Sequence, residues 1–177
     1  MDGKKQMNEL PDKKYNIIYA DPPWAYQTAV KRTHYQRMKT QNICDLQVKD
    51  ISDDNCVLFI WGTWTHVEDV QRVIKTWGFE YKTCAFLWYK KTKNNKAFFG
   101  MGSYTRANSE FCLIAMKGKL KRVNASIRQV IESEIEKHSK KPDEVRNNIV
   151  ELYGDLPRIE LFAREKSEGW DSWGNEL

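Results

Sequence analysis

Residues 15–24 read YNIIYADPPW, and this stretch limits the fold more than any other. From Tyr15 to Ala20 the chain is aromatic, β-branched or small and, Asn16 apart, lacks polar alternation, so it reads as a strand buried on both faces. An acid follows, and then two prolines, which fix two φ angles and withhold two N–H donors, so the strand must end there. Cys56–Trp61 (CVLFIW) repeats the apolar pattern without alternation. Strands of this kind need helices on both faces.

The rest of the chain supplies those layers. TWTHVEDVQRVIKTWGF predicts a helix: Thr65 and Glu68 have capping-box spacing, Val67, Val70, Ile74 and Trp77 share a face, and Gly78 stops it. Lys141–Tyr153 predicts another, with Pro142 in its first turn, Val145, Ile149 and Leu152 inward, and Gly154 as its cap. ICDLQVKDI reads as a short helix or turn, and strands are expected at Lys82–Tyr89, Phe111–Met116, Ile127–Ile131 and Arg158–Phe162. Residues 1–14 read as an N-terminal extension and 15–177 as one α/β domain, a sandwich around a largely parallel sheet. The polar loop between Lys90 and Ser109 is long for a compact domain, which marks it as functional or disordered.

In such sheets ligands gather beyond the carboxyl ends of strands, where Asp21 stands. The two prolines leave carbonyls with no proline N–H to satisfy them, so the turn accepts hydrogen bonds and donates none, with the Trp24 ring beside it. A planar amine with two N–H groups suits this cluster: one to the Asp21 carboxylate, one to the Pro22 carbonyl, the ring on Trp24. The exocyclic amine of adenine has that shape. Its lone pair is delocalised, and two acceptors held out of the ring plane would favour the tetrahedral nitrogen needed for attack, by positioning and electrostatics without a strong base or a metal. Asp-Pro also opens ordinary turns.

Charge narrows the partner. The net charge of +5 conceals a segment from Lys82 to Lys141 with 14 Lys/Arg against 4 Asp/Glu, a local +10 that leaves −5 for the remainder. Trp88, Tyr89, Phe98, Phe99 and Tyr104 lie within it, a mixture that suits a polyanion offering flat bases, although a solvated basic face has the same composition. No apolar stretch approaches membrane-spanning length, and the N-terminus lacks a hydrophobic signal segment, so a cytoplasmic location, in a bacterial or phage-infected cell, is expected. Cys44, Cys56, Cys84 and Cys112 never form CxxC and read as reduced core residues.

Asp21-Pro22-Pro23-Trp24 matches the DPPW signature of S-adenosylmethionine-dependent amino-group methyltransferases. DDNCVLFIWGT, TWGFEYKT, NSEFCLIAMKGK, SKKPDEV and PRIELFAR…GWDSWGNE resemble, in order and spacing, the adenine-N6 methyltransferase family that contains the catalytic subunit of the eukaryotic mRNA adenine-methylating complex and its bacterial and phage relatives. The resemblance runs from about Tyr15 to Leu177. It implies a Rossmann-like fold with permuted motif order, the catalytic signature first and the cofactor-binding strand last. It implies S-adenosyl-L-methionine as cofactor, with Asp21, Pro22, Pro23 and Trp24 at the target adenine and Asp21 also near the methionine end. By the same resemblance Lys141 stands beside the methionine moiety, and Glu160, Phe162, Arg164, Asn175 and Glu176 contact ribose and adenosine. Read as residues alone, Lys141 also fits a solvated basic run, and Glu160 an internal pair with Arg158 or Arg164. Tyr35 resembles a family tyrosine and equally a surface one.

Relatives often carry extra chain before the signature that contributes to the adenine pocket, and here about twenty residues precede it, so the expectation is either that part of that pocket is missing or that another segment builds it. With no recognition domain evident, either Lys91, Lys93, Lys96, Phe98, Phe99 and Arg106 of the basic loop grip nucleic acid or a second subunit helps to do so. Phosphates do not separate DNA from RNA; the compact bacterial and phage members make DNA the expectation. An RNA enzyme and a non-catalytic nucleic-acid-binding subunit are the alternatives. Related enzymes pair through this domain, which makes a homodimer or a paired methyltransferase subunit the expected protein partner.

Overall fold

The run expected to be doubly buried does become an inner strand, β1 (Tyr15–Ala20), held between two parallel neighbours, β2 (Ser52–Gly62) and β6 (Arg158–Leu161). A computed structural model describes residues 9–25, 37–136 and 140–177. Its sheet has seven strands in the order β5-β3-β4-β2-β1-β6-β7, with β3 (Glu80–Lys91), β4 (Ser109–Lys117), β5 (Val130–Glu134) and β7 (Asp171–Trp173) completing it. Of these only β4 runs against the others, antiparallel to both β2 and β3, while β3–β5 and β6–β7 are parallel.

Helices cover both faces, as unalternating strands require. One face carries α1 (Thr40–Cys44), α2 (Val48–Ile51) and α3 (Val67–Thr76); Ile18, Ala20, Leu58 and Ile60 of the sheet meet Val70, Val73, Ile74 and Trp77 there. The other face carries α4 (Glu144–Tyr153), where Ile17, Tyr19, Val57 and Phe59 meet Val145, Ile149 and Tyr153. Neighbours along β1 therefore enter opposite cores, the period of two expected of a strand. Among the described residues no helix is long and apolar enough to cross a membrane.

Several boundaries differ from the sequence reading. The capping box does not form. A 3-10 turn at Trp64–His66, closed by the His66 N–H on the Thr63 carbonyl (2.8 Å), delays α3 to Val67, and the Thr65 hydroxyl meets Thr63 and His66 side chains instead. Gly78 does end the helix region, at φ +83°. In α4, Tyr153 occupies the inward position expected of Leu152, which is half-buried. The strand expected at Ile127–Ile131 lies at 130–134, an edge strand with only Ile131 fully buried. The last expected strand stops at Leu161 because Phe162 turns into the left-handed region (φ +63°), and the three-residue β7 was too short to read. All four cysteines are free, with Cys44, Cys56 and Cys112 buried and Cys84 half-buried; burial pushes the Cys56 thiol up to about 12.

Trp77 ties the first face together. It is fully buried, and its indole N–H reaches the Ile43 carbonyl at 3.0 Å, joining α3 to α1. Trp77→Ala is expected to lower stability by about 3–5 kcal/mol in urea denaturation, through the cavity and the orphaned carbonyl. A loss under about 1 kcal/mol would show that the face repacks freely.

Candidate functional site

The ladder of β1 ends where the prolines begin. The Asp21 N–H still reaches the Leu161 carbonyl, at 3.4 Å, and the chain then turns sharply: the Trp24 N–H bonds the Pro22 carbonyl (2.9 Å) and the Met38 N–H bonds the Pro23 carbonyl (2.8 Å). Both proline carbonyls therefore already hold one donor. Each has a second lone pair, so the turn keeps its accepting character with half the capacity expected. The Trp24 ring departs further from expectation. It is 6% exposed, stacks on His66 (centroids 5.7 Å, planes 26° apart) and donates its indole N–H to the Trp61 carbonyl at 3.0 Å. It anchors the turn from beneath and leaves almost no area for a base to cover.

Above the turn lies a chain of alternating charges. Lys141 Nζ sits 3.0 Å from Asp21 Oδ2 and 3.1 Å from Glu110 Oε2, and Lys90 Nζ is 2.5 Å from Glu110 Oε1. The Lys141 side chain is 11% exposed. Burial works against its charge, but Asp21 and Glu110 outweigh that and hold its pKa above the ordinary lysine value. Burial likewise opposes the Glu110 charge, and Lys141 with Lys90 outweighs it, keeping this carboxyl below the usual range. The fold explains the meeting: because β4 is reversed, its first residues arrive at the edge where β1 ends.

A second buried pair stands on β6. Glu160 accepts a bidentate clamp from Arg146 of α4, Nε to Oε2 at 2.7 Å and Nη2 to Oε1 at 2.9 Å. Its partner is thus Arg146 rather than Arg158 or Arg164. Burial raises the Glu160 pKa, with Asp21 and Glu165 adding to the effect and Arg146 opposing it. Glu160 lines, with its clamped carboxylate, a hollow that Phe162 also lines; the Phe162 backbone is left-handed, and its ring packs against the core, edge-on to Trp173 at 5.5 Å.

Two hollows open here and share one wall. One, of about 500 Å³, is lined by the Asp21–Trp24 turn, Arg37, Gly62, Thr63, Glu110, Lys141 and Arg164. The other, of about 730 Å³, is lined by Asp21, Lys140, Lys141, Arg146, Glu160, Phe162, Arg164, Glu165 and Glu176. Asp21, Lys141 and Arg164 belong to both. Gly62 is obligatory in the first wall, since a Cβ there would fall 2.5 Å from Val70 Cγ2 and 2.8 Å from the Phe111 ring.

The structure thus brings together Asp21, Pro22, Pro23, Trp24, Lys141, Glu160, Phe162, Arg164 and Glu176, and leaves others apart. Asn175 is exposed and lines neither hollow, and Tyr35 lies outside the described residues. On the loop, Lys91 is paired with Glu132, so it is not a loose phosphate ligand; Lys93, Lys96 and Arg106 are exposed, Phe98 is half-buried, and Phe99 is 71% exposed with the Arg106 guanidinium 5.1 Å from its ring centre. Sequence reasoning missed Glu110, Arg146, Arg37 and Thr63. Glu110 had a signal: a lone carboxylate heading an apolar strand needs a cation, by the same logic applied to Glu160.

The donor set fits S-adenosylmethionine. The larger hollow combines cations suited to a carboxylate, acids suited to an ammonium or a ribose diol, and one aromatic wall. The MT-A70 family model matches residues 15–176. The Type II methyltransferase M.MunI of Mycoplasma sp is 35% identical, with 96% of this chain and 80% of that protein aligned. The N(6)-adenosine-methyltransferase MT-A70-like protein of Drosophila melanogaster is 29% identical over 93% of this chain and 27% of its own length. The human N(6)-adenosine-methyltransferase catalytic subunit METTL3 is 27% identical over 93% and 28%. This chain therefore spans most of the first relative and about a quarter of the other two.

Glu110 makes stability depend on pH. Its folded pKa lies below its unfolded value near 4.5, so the unfolded chain binds the proton first and the contribution, complete above 4.5, is lost as pH falls through the folded value. Glu110→Gln, which leaves two lysines short of a partner, is expected to cost about 3 kcal/mol at pH 7. In urea titrations the gap between the two proteins should shrink below pH 4.5; a gap constant with pH would contradict this assignment.

Proposed function

The chain belongs to the MT-A70 family, and from that premise we propose that it transfers a methyl group from S-adenosylmethionine to the N6 amine of adenine in nucleic acid, with DNA favoured over RNA. The observation that carries the reading is the pair of hollows meeting at Asp21, Lys141 and Arg164: a cofactor in the larger and a base in the smaller would come face to face across those residues. S-adenosylmethionine supplies an electrophilic methyl group.

The chain's own residues do the rest. Lys141 takes Asp21 Oδ2, which turns Oδ1 to the amine as one acceptor, while the second lone pair of the Pro22 carbonyl serves as the other. Two fixed acceptors hold the nitrogen toward tetrahedral geometry, and the bracing by Lys141 and Glu110 means that little reorganises as the bond forms. Arg146 keeps Glu160 aligned for a ribose diol, and Phe162 flanks the adenine of the cofactor. The base must leave its stack to enter the smaller hollow, which costs a few kcal/mol in a duplex and little in a single strand. Preference for DNA rests on the relative whose length this chain nearly spans, a Type II methyltransferase.

Incubation with methyl-labelled S-adenosylmethionine and matched DNA and RNA oligomers, followed by nucleoside mass analysis, should place the label on N6-methyldeoxyadenosine. Label confined to RNA would reverse the polymer assignment. Asp21→Ala is expected to lower turnover at least about 100-fold while calorimetry shows cofactor binding largely kept. Undiminished turnover in that variant would remove the carboxylate from the reaction.

A further inference from the structure

With Trp24 turned into the core, the rim of the smaller hollow offers another indole. Trp64 follows directly on Gly62 and Thr63, two lining residues, and its Nε1 donates to Ser109 Oγ at 3.0 Å, the neighbour of a third, Glu110. Its ring also meets Phe111 edge-on at 5.0 Å, 62° between planes. Two contacts from β4 thus hold the ring in one orientation, yet it is 56% exposed. A large aromatic with that much area in water and its polar atom already bonded has a face suited to a flat ligand.

The surroundings indicate which ligand. Ser109 is where the loop from β3 rejoins the sheet, so Trp64 and that loop share an edge. Four of the eight most exposed large apolar side chains among the described residues belong to this rim and loop: Trp64, Phe99, Met101 and Tyr104. Lys93, Lys96 and Arg106 accompany them. Aromatics interleaved with cations complement stacked bases on a phosphate chain, whereas a purely apolar partner would leave those cations unmatched.

We propose that Trp64 is the stacking platform for the nucleotide next to the target adenine, holding the strand at the mouth of the pocket while the adenine occupies it. The inference rests on the nucleic-acid reading given above. Stacking of this kind is sequence-tolerant, so Trp64 sets strand position rather than target sequence.

The test uses a single-stranded, thymidine-rich oligodeoxynucleotide with one adenine and 2-aminopurine as its neighbour, a probe whose fluorescence falls on stacking. Wild-type protein should quench it at saturation. Trp64→Ala should leave the bound probe bright and raise the KM for the oligomer about tenfold, with the KM for S-adenosylmethionine unchanged. Trp64→Phe, which keeps a ring, should restore part of the quench, and a matching thermal melt separates this from misfolding. Undiminished quenching and an unchanged oligomer KM in Trp64→Ala would overturn the proposal. So would a shift from dimer to monomer in sedimentation with quenching intact, since the face would then join two copies of the chain. Wild-type protein that neither binds nor methylates DNA or RNA oligomers would bring down the nucleic-acid reading itself.

Discussion

The lysine held between two carboxylates is the contact on which the site depends. Asp21, Glu110 and Lys141 come from the end of β1, the start of β4 and the approach to α4, so one ammonium fixes the relative position of three segments far apart in sequence. Such a buried cluster contributes little net stability, since removing charges from water offsets most of their attraction. Its value lies in direction. Each member is costly to leave alone, so the three side chains hold one arrangement, and that arrangement is the wall shared by two hollows. The Arg146–Glu160 clamp repeats the device one strand away.

Much of this was legible in the residues. β1 and the stop after Ala20 follow from an unalternating run closed by two prolines, β2 from a second such run, and α3 and α4 from periodicity. The DPPW turn could be recognised as an accepting cluster because proline chemistry is local. What escaped was set by tertiary contacts. Trp24 is sequence-adjacent to Asp21, yet its ring faces a core that only the folded chain creates. The Thr65–Glu68 spacing is that of a capping box, but a 3-10 turn claims those residues first. Glu110 entered the site through the direction of β4, which no local pattern encodes.

Phe162 illustrates a related limit. The motif around it suggested that the strand would continue through the ring, but its left-handed backbone ends the strand one residue early. A bulky residue in that region stores strain, and here the strained residue lies where the strand gives way to the wall of a hollow.

The reversed strand has a consequence for how proteins of this architecture diversify. Because β4 doubles back beside β2, the connection that precedes it emerges at the edge where β1 ends, and it is pinned near its two ends, by the Phe98 N–H on the Lys90 carbonyl (3.0 Å) and by the Lys90 N–H on the Asn108 carbonyl (2.8 Å). A connection of this kind can change in length and composition with the ladders of the sheet kept in register, and so without disturbing the wall that the two hollows share.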